Sequence, residues 1–403
     1  MPSAIVTGAT GILGREIVAA LGKDSETWQT VHALSRSQKE SYPPHVKHDF
    51  IDLTGDAKAM AKQLHGIEAE YVFFAAYLQK DSEQANWDVN GAMLKNFLDA
   101  LEMTGATQKL KRVILTTGAK QYGVHLGPPK QPMEESDPWI EGPGRPPNFY
   151  YNQQRILADK AKHASWDWVV TYPNDVIGVA KGNFMNLGTS IGIYAAVSKE
   201  LGGELVFPGS EAFYTSFDCF TYSRLHAQFN LWAAMEPRCS NQAFNVVNGD
   251  TESWQNMWPK MAKKFGCKVP ANQFDLPLDK DAGSVMDLAP DPPMAETAAE
   301  RGLQGKVAPG KVEQRIDLIK WSQRSDVKKA WQQLAAREGL EKDGLEKATW
   351  GFLGFVLGRN YDIVLSMSKA RRLGWNGYID TWDSLSGCFD ELAMEKMLPR
   401  TGS

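Results

Sequence analysis

Short apolar runs alternate with amphipathic stretches along the first 180 residues of this 403-residue chain. The runs predict buried strands and lie at residues 4–6, 30–34, 50–53, 72–76 and 113–115. The stretches between them carry apolar residues at helical spacing, most clearly at residues 87–101. This alternation predicts an α/β fold with a doubly wound parallel sheet covered by helices on both faces.

The remainder of the chain predicts a smaller lobe that is interleaved with the sheet domain. Residues 1–180 form the predicted nucleotide-binding domain, to which a strand at residues 244–248 returns, and residues 181–403 form the lobe. Helices are expected at residues 191–201 and, as one solvated amphipathic helix, at residues 328–347. The proline-rich segment 281–314 is expected to be an insertion or a lid.

A glycine-rich turn follows the first predicted strand and opens the first predicted helix. Glycines at this spacing permit a tight turn, a close approach of backbone to a pyrophosphate, and close packing of helix on strand. The predicted cofactor contacts in this turn are Thr7, Gly8, Thr10, Gly11, Ile12, Leu13 and Gly14.

The second predicted strand ends in Ser35, Arg36 and Ser37. An NAD-binding protein usually places a carboxylate there to bind the ribose 2′-hydroxyl, whereas a cation can pair with a 2′-phosphate. Arg36 therefore predicts NADP(H), the alternative being an arginine that is simply solvated. Further cofactor contacts are expected where later strands end, at Asp52, Leu53, Ala75, Ala76, Thr116, Thr117 and Gly118.

Asn90 lies within the apolar stripe of the helix predicted at residues 87–101. A core asparagine needs hydrogen-bond partners, so Asn90 either organises backbone near the active site or satisfies a neighbouring carbonyl.

Composition excludes several classes of function. The net charge of −4 and the absence of a Lys/Arg-rich block argue against a nucleic-acid partner. Four scattered cysteines argue against a zinc site or a disulfide framework, and no metal is expected. Since the chain has no apolar run of about 18 residues and no leader-like start, it is expected to be a soluble cytoplasmic protein without a membrane partner.

Candidate chemistry follows the strand at residues 113–115. Lys120 comes shortly after this strand, and a Gly/Pro-rich loop then leads to the adjacent Tyr150 and Tyr151. Helical spacing stacks Tyr151 over Arg155 and Asp159, which favours Tyr151 over Tyr150 as the acid. In short-chain dehydrogenases a lysine follows the tyrosine by four residues; here Lys120 replaces it, because arginine does not exchange protons at neutral pH.

These residues resemble the progesterone 5β-reductase/iridoid synthase-like family of atypical extended short-chain dehydrogenases. Lys120 matches the lysine of its Thr-Gly-x-Lys-His-Tyr motif, and Asn-Phe-Tyr-Tyr at residues 148–151 matches its tyrosine motif. The resemblance continues through residues 172–178, which adds Pro173, Asn174 and Val176 to the expected cofactor contacts, and it extends to residues 366–375.

The resemblance implies NADPH-dependent reduction of the C=C bond of a small apolar enone or enal, with Tyr151 and Lys120 stabilising the enolate. Gln121 stands where the motif has histidine, and Arg155 where the family commonly has an acidic residue. Two other readings stay open. They are carbonyl reduction or another extended-family reaction, such as epimerisation or dehydration, and a non-catalytic NADP(H)-binding redox sensor.

Aromatic and methionine residues of the second lobe are candidates for an apolar substrate pocket, although side chains at such spacing are as often core. They are Phe184, Met185, Tyr194, Phe213 and Tyr214. The sequence leaves the substrate open, as it does the choice between a monomer and a homodimer.

Overall fold

The computed structural model describes residues 2–38, 40–182, 185–275, 278 and 281–402. Within these residues the strands are β1 Ser3–Thr7, β2 Thr30–Ser35, β3 Val46–Phe50, β4 Tyr71–Phe74, β5 Arg112–Thr116, β6 Asp167–Tyr172, β7 Val176–Ile177, β8 Phe217–Asp218, β9 Thr221–Tyr222, β10 Gln242–Asn245, β11 Glu252–Ser253, β12 Ser284–Asp287 and β13 Lys311–Gln314.

The α-helices of the same residues alternate with these strands and then dominate the C-terminal part of the chain. They are α1 Gly14–Lys23, α2 Ala57–Gln63, α3 Glu83–Thr104, α4 Phe149–Ala161, α5 Leu187–Glu200, α6 Glu211–Thr215, α7 Ser223–Met235, α8 Trp254–Phe265, α9 Leu318–Gln323, α10 Ser325–Glu338, α11 Gly344–Lys347, α12 Trp350–Gly358, α13 Ser368–Arg372 and α14 Thr381–Met394.

Seven strands form one sheet in the spatial order β10-β6-β5-β4-β1-β2-β3. Every neighbouring pair in it is parallel. The strand order reverses between β1 and β4, and ligands of such sheets bind at this switch point beyond the carboxyl ends of the strands. The doubly wound Rossmann-type fold predicted from the sequence is therefore confirmed.

The chain returns to the sheet through β10, which pairs with β6 so that Phe244 lies opposite Thr171. The predicted strand at residues 244–248 is thus real, although it begins earlier and ends at Asn245. The helix predicted at residues 87–101 is longer at both ends, because Ser82 caps its start and Gly105 ends it in a left-handed conformation.

One predicted helix is wrong in its length. The amphipathic stretch at residues 328–347 is divided into α10 and α11, because Gly339 ends α10 with φ 68°. Residues that carry a side chain rarely adopt a positive φ, whereas glycine does so without steric cost.

Two large hydrophobic cores are present among the described residues. One surrounds the seven-stranded sheet, and the other fills the second lobe around Trp254, Trp258, Trp331 and Phe207. The segment 281–314 is bounded by the antiparallel pair β12 and β13. Between them it packs on the loop that follows Tyr122, where the Ala289 N–H donates to the Leu126 carbonyl at 3.1 Å and the Met294 N–H to the Pro128 carbonyl at 3.0 Å.

Candidate active site

The glycine-rich turn brings three backbone segments close together at the end of β1. Gly8 has φ 67°, and a Cβ there would lie 2.7 Å from the Ala75 carbonyl oxygen. A Cβ on Gly14 would lie 2.1 Å from the Gly8 carbonyl oxygen. The absence of these side chains lets helix α1 begin directly against β1 and leaves a backbone cradle at the edge of the sheet, which fits a dinucleotide.

The residues after β2 divide into two kinds. Arg36 and Ser37 are exposed at the edge of the sheet, where a ribose phosphate would lie. Ser35 is buried, donates its hydroxyl hydrogen bond to the Ser37 carbonyl at 2.8 Å and contacts His48 Nε2 at 3.0 Å. The prediction that the Ser35 hydroxyl contacts the cofactor is therefore not supported, because that hydroxyl shapes the turn.

Asp52 lies beside this turn. Hydrogen bonds from Thr54 hold the pKa of the Asp52 carboxyl below its usual range, and the Arg36 charge contributes in the same direction. The carboxylate therefore stays charged next to Arg36 at neutral pH.

Asparagine side chains fix the loop that carries the chain from β4 to α3. Asn90 accepts from the Leu78 N–H and donates to the Leu78 carbonyl, both at 2.9 Å. Asn86 accepts from the Lys80 N–H at 2.8 Å. Both roles considered for Asn90 are thus combined, since its partner is backbone that borders the site.

The end of β5 is tied to the end of β6. The Thr117 N–H donates to the Thr171 carbonyl and the Ala119 N–H to the Pro173 carbonyl, both at 2.9 Å. Gly118 lies between these bonds in extended backbone. A Cβ there would lie 3.0 Å from the Tyr150 hydroxyl and 3.3 Å from the Pro173 carbonyl oxygen, so the Tyr150 hydroxyl lies at the carboxyl edge of the sheet.

Lys120 follows on a short 3₁₀ turn, Ala119–Tyr122. Its Nζ donates to Glu83 Oε2 at 2.5 Å and lies 5.6 Å from the centre of the Phe149 ring. Burial lowers the pKa of Lys120, and the hydrogen bond and charge of Glu83 oppose that effect. Glu83 was missed from the sequence, although Ser82 at the start of the helix was a capping signal that located it.

Tyr150 is buried, and its ring lies 4.4 Å from that of Phe149, centre to centre. Burial raises the pKa of Tyr150, and the negative charge of Glu83 raises it further. The phenol therefore stays protonated at neutral pH and is available as a hydrogen-bond donor.

Tyr151 has a different environment, which argues against its predicted catalytic role. Its hydroxyl donates to the Gln121 carbonyl at 2.6 Å and accepts from the Ile140 N–H at 2.9 Å. Its ring stacks on Trp139 with 4.6 Å between centres, and only 1% of the residue is exposed. Burial raises its pKa to about 12. The hydroxyl thus both donates to and accepts from backbone groups, so Tyr151 anchors the 139–141 loop.

The face of α4 that carries Tyr151 explains this correction. Arg155, one turn later, is exposed, pairs with Glu141 at 2.6 Å and covers the Trp139 ring at 5.0 Å. Arg155 therefore holds the same loop from outside and does not contact a ribose. Tyr151 and Arg155 do share a face, as predicted, but that face points to the loop and not to the sheet edge.

The neighbouring face of α4 belongs to Tyr150 and Gln154. Gln154 donates to Gln121 Oε1 at 2.8 Å and accepts from the Tyr172 hydroxyl at 2.7 Å. Gln154 thus occupies the position four residues after Tyr150 that holds a lysine in ordinary short-chain dehydrogenases. Gln121, the departure from the family motif, is 3% exposed and belongs to this buried network.

Asn174 does not direct its side chain at the cofactor. Its amide donates to the Cys219 carbonyl at 2.5 Å and to Asp218 Oδ1 at 3.2 Å. Val176 instead packs with Ile12, Leu13 and Ala180 over the glycine-rich turn. A cofactor contact of Asn174 is therefore left to its backbone, and it stays a prediction.

A buried ionic cluster lies behind Asn174 and was missed from the sequence. Arg359 is 1% exposed, pairs with Asp175, and lies 3.3 Å from Asp218. Burial and the Asp175 charge raise the pKa of Asp218 well above its usual value. Asp175 has φ 33°, so the cluster holds strained backbone directly after Asn174. No local sequence pattern predicts an ion pair between segments that are so far apart in the chain.

The predicted pocket residues are mostly core. Tyr194 is 2% exposed and donates to the Val206 carbonyl at 2.9 Å, and Phe213 is fully buried under Arg359. Tyr214 packs against Phe207 and Phe274. Tyr194 and Phe213 therefore belong to the core of the lobe, and their contact with a substrate stays a prediction.

Two further predicted lining residues lie near the start of α5. Phe184 is outside the described residues, and Met185 is half-buried. A cavity of about 260 Å³ opens beside this segment. The residues that line it are Ala180, Lys181, Gly182, Asn186, Thr189, Ser190, Ile193, Glu341, Gly344, Lys347, Ala348 and Met397.

Among the described residues no helix is long and apolar enough to cross a membrane. In the same part of the chain no group of three or more His, Cys, Asp or Glu side chains is arranged to hold a metal ion.

A family model described as a PRISE-like Rossmann-fold domain matches residues 45–279, more than half of the chain. The chain belongs to the PRISE-like family. The family predicted from the sequence is thereby confirmed. Its α/β fold, with a seven-stranded parallel sheet, is the one that the family's description names.

Relatives of this PRISE-like chain match along nearly its whole length. It is 42% identical over 402 residues to the uncharacterized protein C757.02c of Schizosaccharomyces pombe, which covers 98% of each chain. It is 30% identical over 410 residues to short chain dehydrogenase gsfE of Penicillium aethiopicum, with 99% of each covered. It is 26% identical over 411 residues to 3-oxo-Delta(4,5)-steroid 5-beta-reductase of Arabidopsis thaliana, with 98% and 93% covered.

Among solved structures, UDP-glucose 4-epimerase of Thermotoga maritima superposes on this PRISE-like chain with a TM-score of 0.60 and 15% identity. The match covers 98% of this chain and 99% of the epimerase. At this identity the likeness concerns the fold, and it extends to the second lobe.

Proposed function

We propose that this protein is an NADPH-dependent reductase of the activated C=C bond of an α,β-unsaturated carbonyl compound, and that Tyr150 and Lys120 stabilise the enolate. The observation that carries the proposal is the position of the Tyr150 hydroxyl, 3.0 Å from where a Cβ on Gly118 would lie. That position is at the carboxyl edge of the sheet, where the nicotinamide of a dinucleotide in this fold would lie.

The cofactor proposal rests on the cradle and on the charge beside it. Gly8 and Gly14 let β1, α1 and the Ala75 backbone approach one another closely, so that the N-terminus of α1 lies at the edge of the sheet, where its N–H groups would bind a pyrophosphate. Arg36 and Ser37 are exposed where a 2′-phosphate would lie. When bound, NADPH would supply the hydride for the β-carbon of the enone.

The roles of the two side chains follow from their charge states. Hydride addition to an enone leaves negative charge on the carbonyl oxygen, which needs a donor. The raised pKa of Tyr150 keeps its phenol protonated, so that it donates a hydrogen bond to this oxygen. The Lys120 ammonium adds a positive charge in a partly buried site, where the charge is poorly screened.

The residue pattern favours C=C reduction over the ordinary chemistry of the fold. In the usual mechanism a lysine four residues after the tyrosine assists proton transfer, and here that position is Gln154 in a buried amide network. The Arabidopsis relative named as a 3-oxo-Delta(4,5)-steroid 5-beta-reductase supports the same direction. Lys120 reaches the site from another segment and is placed to stabilise charge.

The test is NADPH oxidation by the purified protein with a panel of small and large enones, enals and saturated ketones, followed by product analysis. We expect the saturated carbonyl compound from the enones and enals, and no product from the saturated ketones. Allylic alcohol as the product would show carbonyl reduction. Tight NADPH binding without turnover on any member would favour the sensor.

A further inference from the structure

The ion pair between Glu83 and Lys120 lies at the start of helix α3, beside the edge of the sheet. The Lys120 side chain is 20% exposed and the Glu83 side chain 33%, so the pair extends from the site toward solvent. We propose that Glu83 is a positioning residue, the counter-ion that holds the Lys120 ammonium in place and in its charged form for the enolate oxygen. This inference rests on the proposed function.

Glu83 is presented by a rigid segment. The Ser82 hydroxyl caps α3 by accepting from the Ala85 N–H at 3.2 Å. Asn86 and Asn90 bind the backbone of the preceding loop at Lys80 and Leu78. A carboxylate in the first turn is also favoured by the helix dipole, so its position costs little.

Lys120 is fixed from the opposite side. The Asn148 amide donates to the Lys120 carbonyl at 2.8 Å, and the Gly123 N–H donates to the same carbonyl at 3.0 Å. The backbone of both partners is therefore held, and their side chains meet at 2.5 Å. Because an ammonium has three donors, one bond to Glu83 leaves two for a substrate oxygen.

Three titratable groups from other segments lie near the Glu83–Lys120 pair. Tyr150 of α4 and Tyr77 of the loop after β4 face the Glu83 charge, and His125 of the loop after the 3₁₀ turn faces the Lys120 charge. Burial raises the pKa of both tyrosines. Burial, helped by the Lys120 charge, lowers the pKa of His125 well below 6.5. At neutral pH these three are uncharged, so among the described residues Glu83 supplies the negative charge that Lys120 faces.

Helix α3, which carries Glu83, also offers a matched control. Glu102 of α3 pairs with Lys160 of α4 at 2.8 Å, and the Glu102 side chain is 45% exposed. Glu102→Gln removes the same kind of charge from the same helix at the end away from the site. If the Glu83 carboxylate only stabilised the fold, Glu83→Gln and Glu102→Gln would have similar effects on kcat and on its pH profile.

The first measurement is the pH profile of kcat for wild type, Glu83→Gln, Glu83→Asp and Glu102→Gln. Because burial lowers the pKa of Lys120 and Glu83 opposes this, Glu83→Gln should shift the alkaline limb to lower pH. We expect kcat at neutral pH to fall roughly ten- to a hundredfold, with an unchanged KM for NADPH. Glu83→Asp should restore part of the rate, and Glu102→Gln should match wild type.

The second measurement does not need turnover. Trace acetylation of lysines followed by mass spectrometry gives the reactivity of Lys120 as a function of pH. In Glu83→Gln we expect Lys120 to become reactive at lower pH than in wild type or Glu102→Gln. Coinciding Lys120 labelling curves for the two glutamine variants would overturn the inference. A shifted curve in a protein that reduces no enone would refute the proposed reaction, while it would still show that Glu83 keeps Lys120 in its charged form.

Discussion

The adjacent tyrosines offer the sharpest test, because the structure assigns them opposite roles. Tyr150→Phe removes a hydroxyl from the carboxyl edge of the sheet, beside Gly118. Tyr151→Phe removes a hydroxyl that is bound by the Gln121 carbonyl and the Ile140 N–H. The two substitutions are chemically identical and lie one residue apart.

One substitution is expected to lower kcat and the other to lower the stability of the fold. Loss of one donor to a developing oxyanion costs about 10²- to 10³-fold in kcat, and Tyr150→Phe should show this loss. Tyr151→Phe leaves two buried backbone groups without a partner, at about 1–3 kcal/mol each. For 403 residues at about 2.1 cal/mol/K per residue, a total of about 2–6 kcal/mol lowers Tm by roughly 2–7 °C.

The assay combines turnover with a saturating enone, NADPH affinity by fluorescence titration, and thermal unfolding. We expect Tyr150→Phe to keep its Tm within about 1 °C and to bind NADPH normally while kcat collapses. Tyr151→Phe should unfold earlier and keep most of its kcat below the transition. The reverse pattern, a dead but stable Tyr151→Phe beside an active Tyr150→Phe, would refute the assignment of the two faces of α4.

Three further substitutions test the rest of the site. Lys120→Met should lower kcat with little effect on NADPH binding. The pKa of Lys120 is lowered from its ordinary value of 10.5, so the kcat of the wild type should decrease at a pH below 10.5. Lys120→Met should lack this decrease. The same decrease in both proteins would exclude Lys120 as its source. Arg36→Ala should raise KM for NADPH about ten- to a hundredfold, since a charged hydrogen bond contributes about 1.5–3 kcal/mol. It should leave KM for NADH nearly unchanged. An equal rise in KM for both cofactors would contradict the pairing of Arg36 with a 2′-phosphate. Arg359→Met leaves Asp175 and Asp218 buried without their cation, so urea unfolding should show a loss of about 3–5 kcal/mol, and an unchanged midpoint would contradict the role of the cluster.

The sequence by itself determined the sheet domain. Apolar runs and helical spacing are local properties, and glycines at positions 8 and 14 are required wherever backbone approaches backbone this closely. The parallel sheet and the returning strand therefore followed from the chain alone, while the site at the end of β5 stays a prediction. Lys120 was predicted in a similar way, because it comes shortly after a buried strand, and its role stays a prediction.

Only the tertiary structure decided which side chains face the site. Neighbouring residues on a helix point about 100° apart, so spacing groups Tyr151 with Arg155 but does not say which face meets the sheet. Packing of α4 against α3 decides that, and a Cβ on Gly91 of α3 would lie only 2.1 Å from Asn152 Nδ2. Pairs such as Glu83–Lys120 and Arg359–Asp175 join residues 37 and 184 positions apart, and no local pattern encodes a contact over such distances.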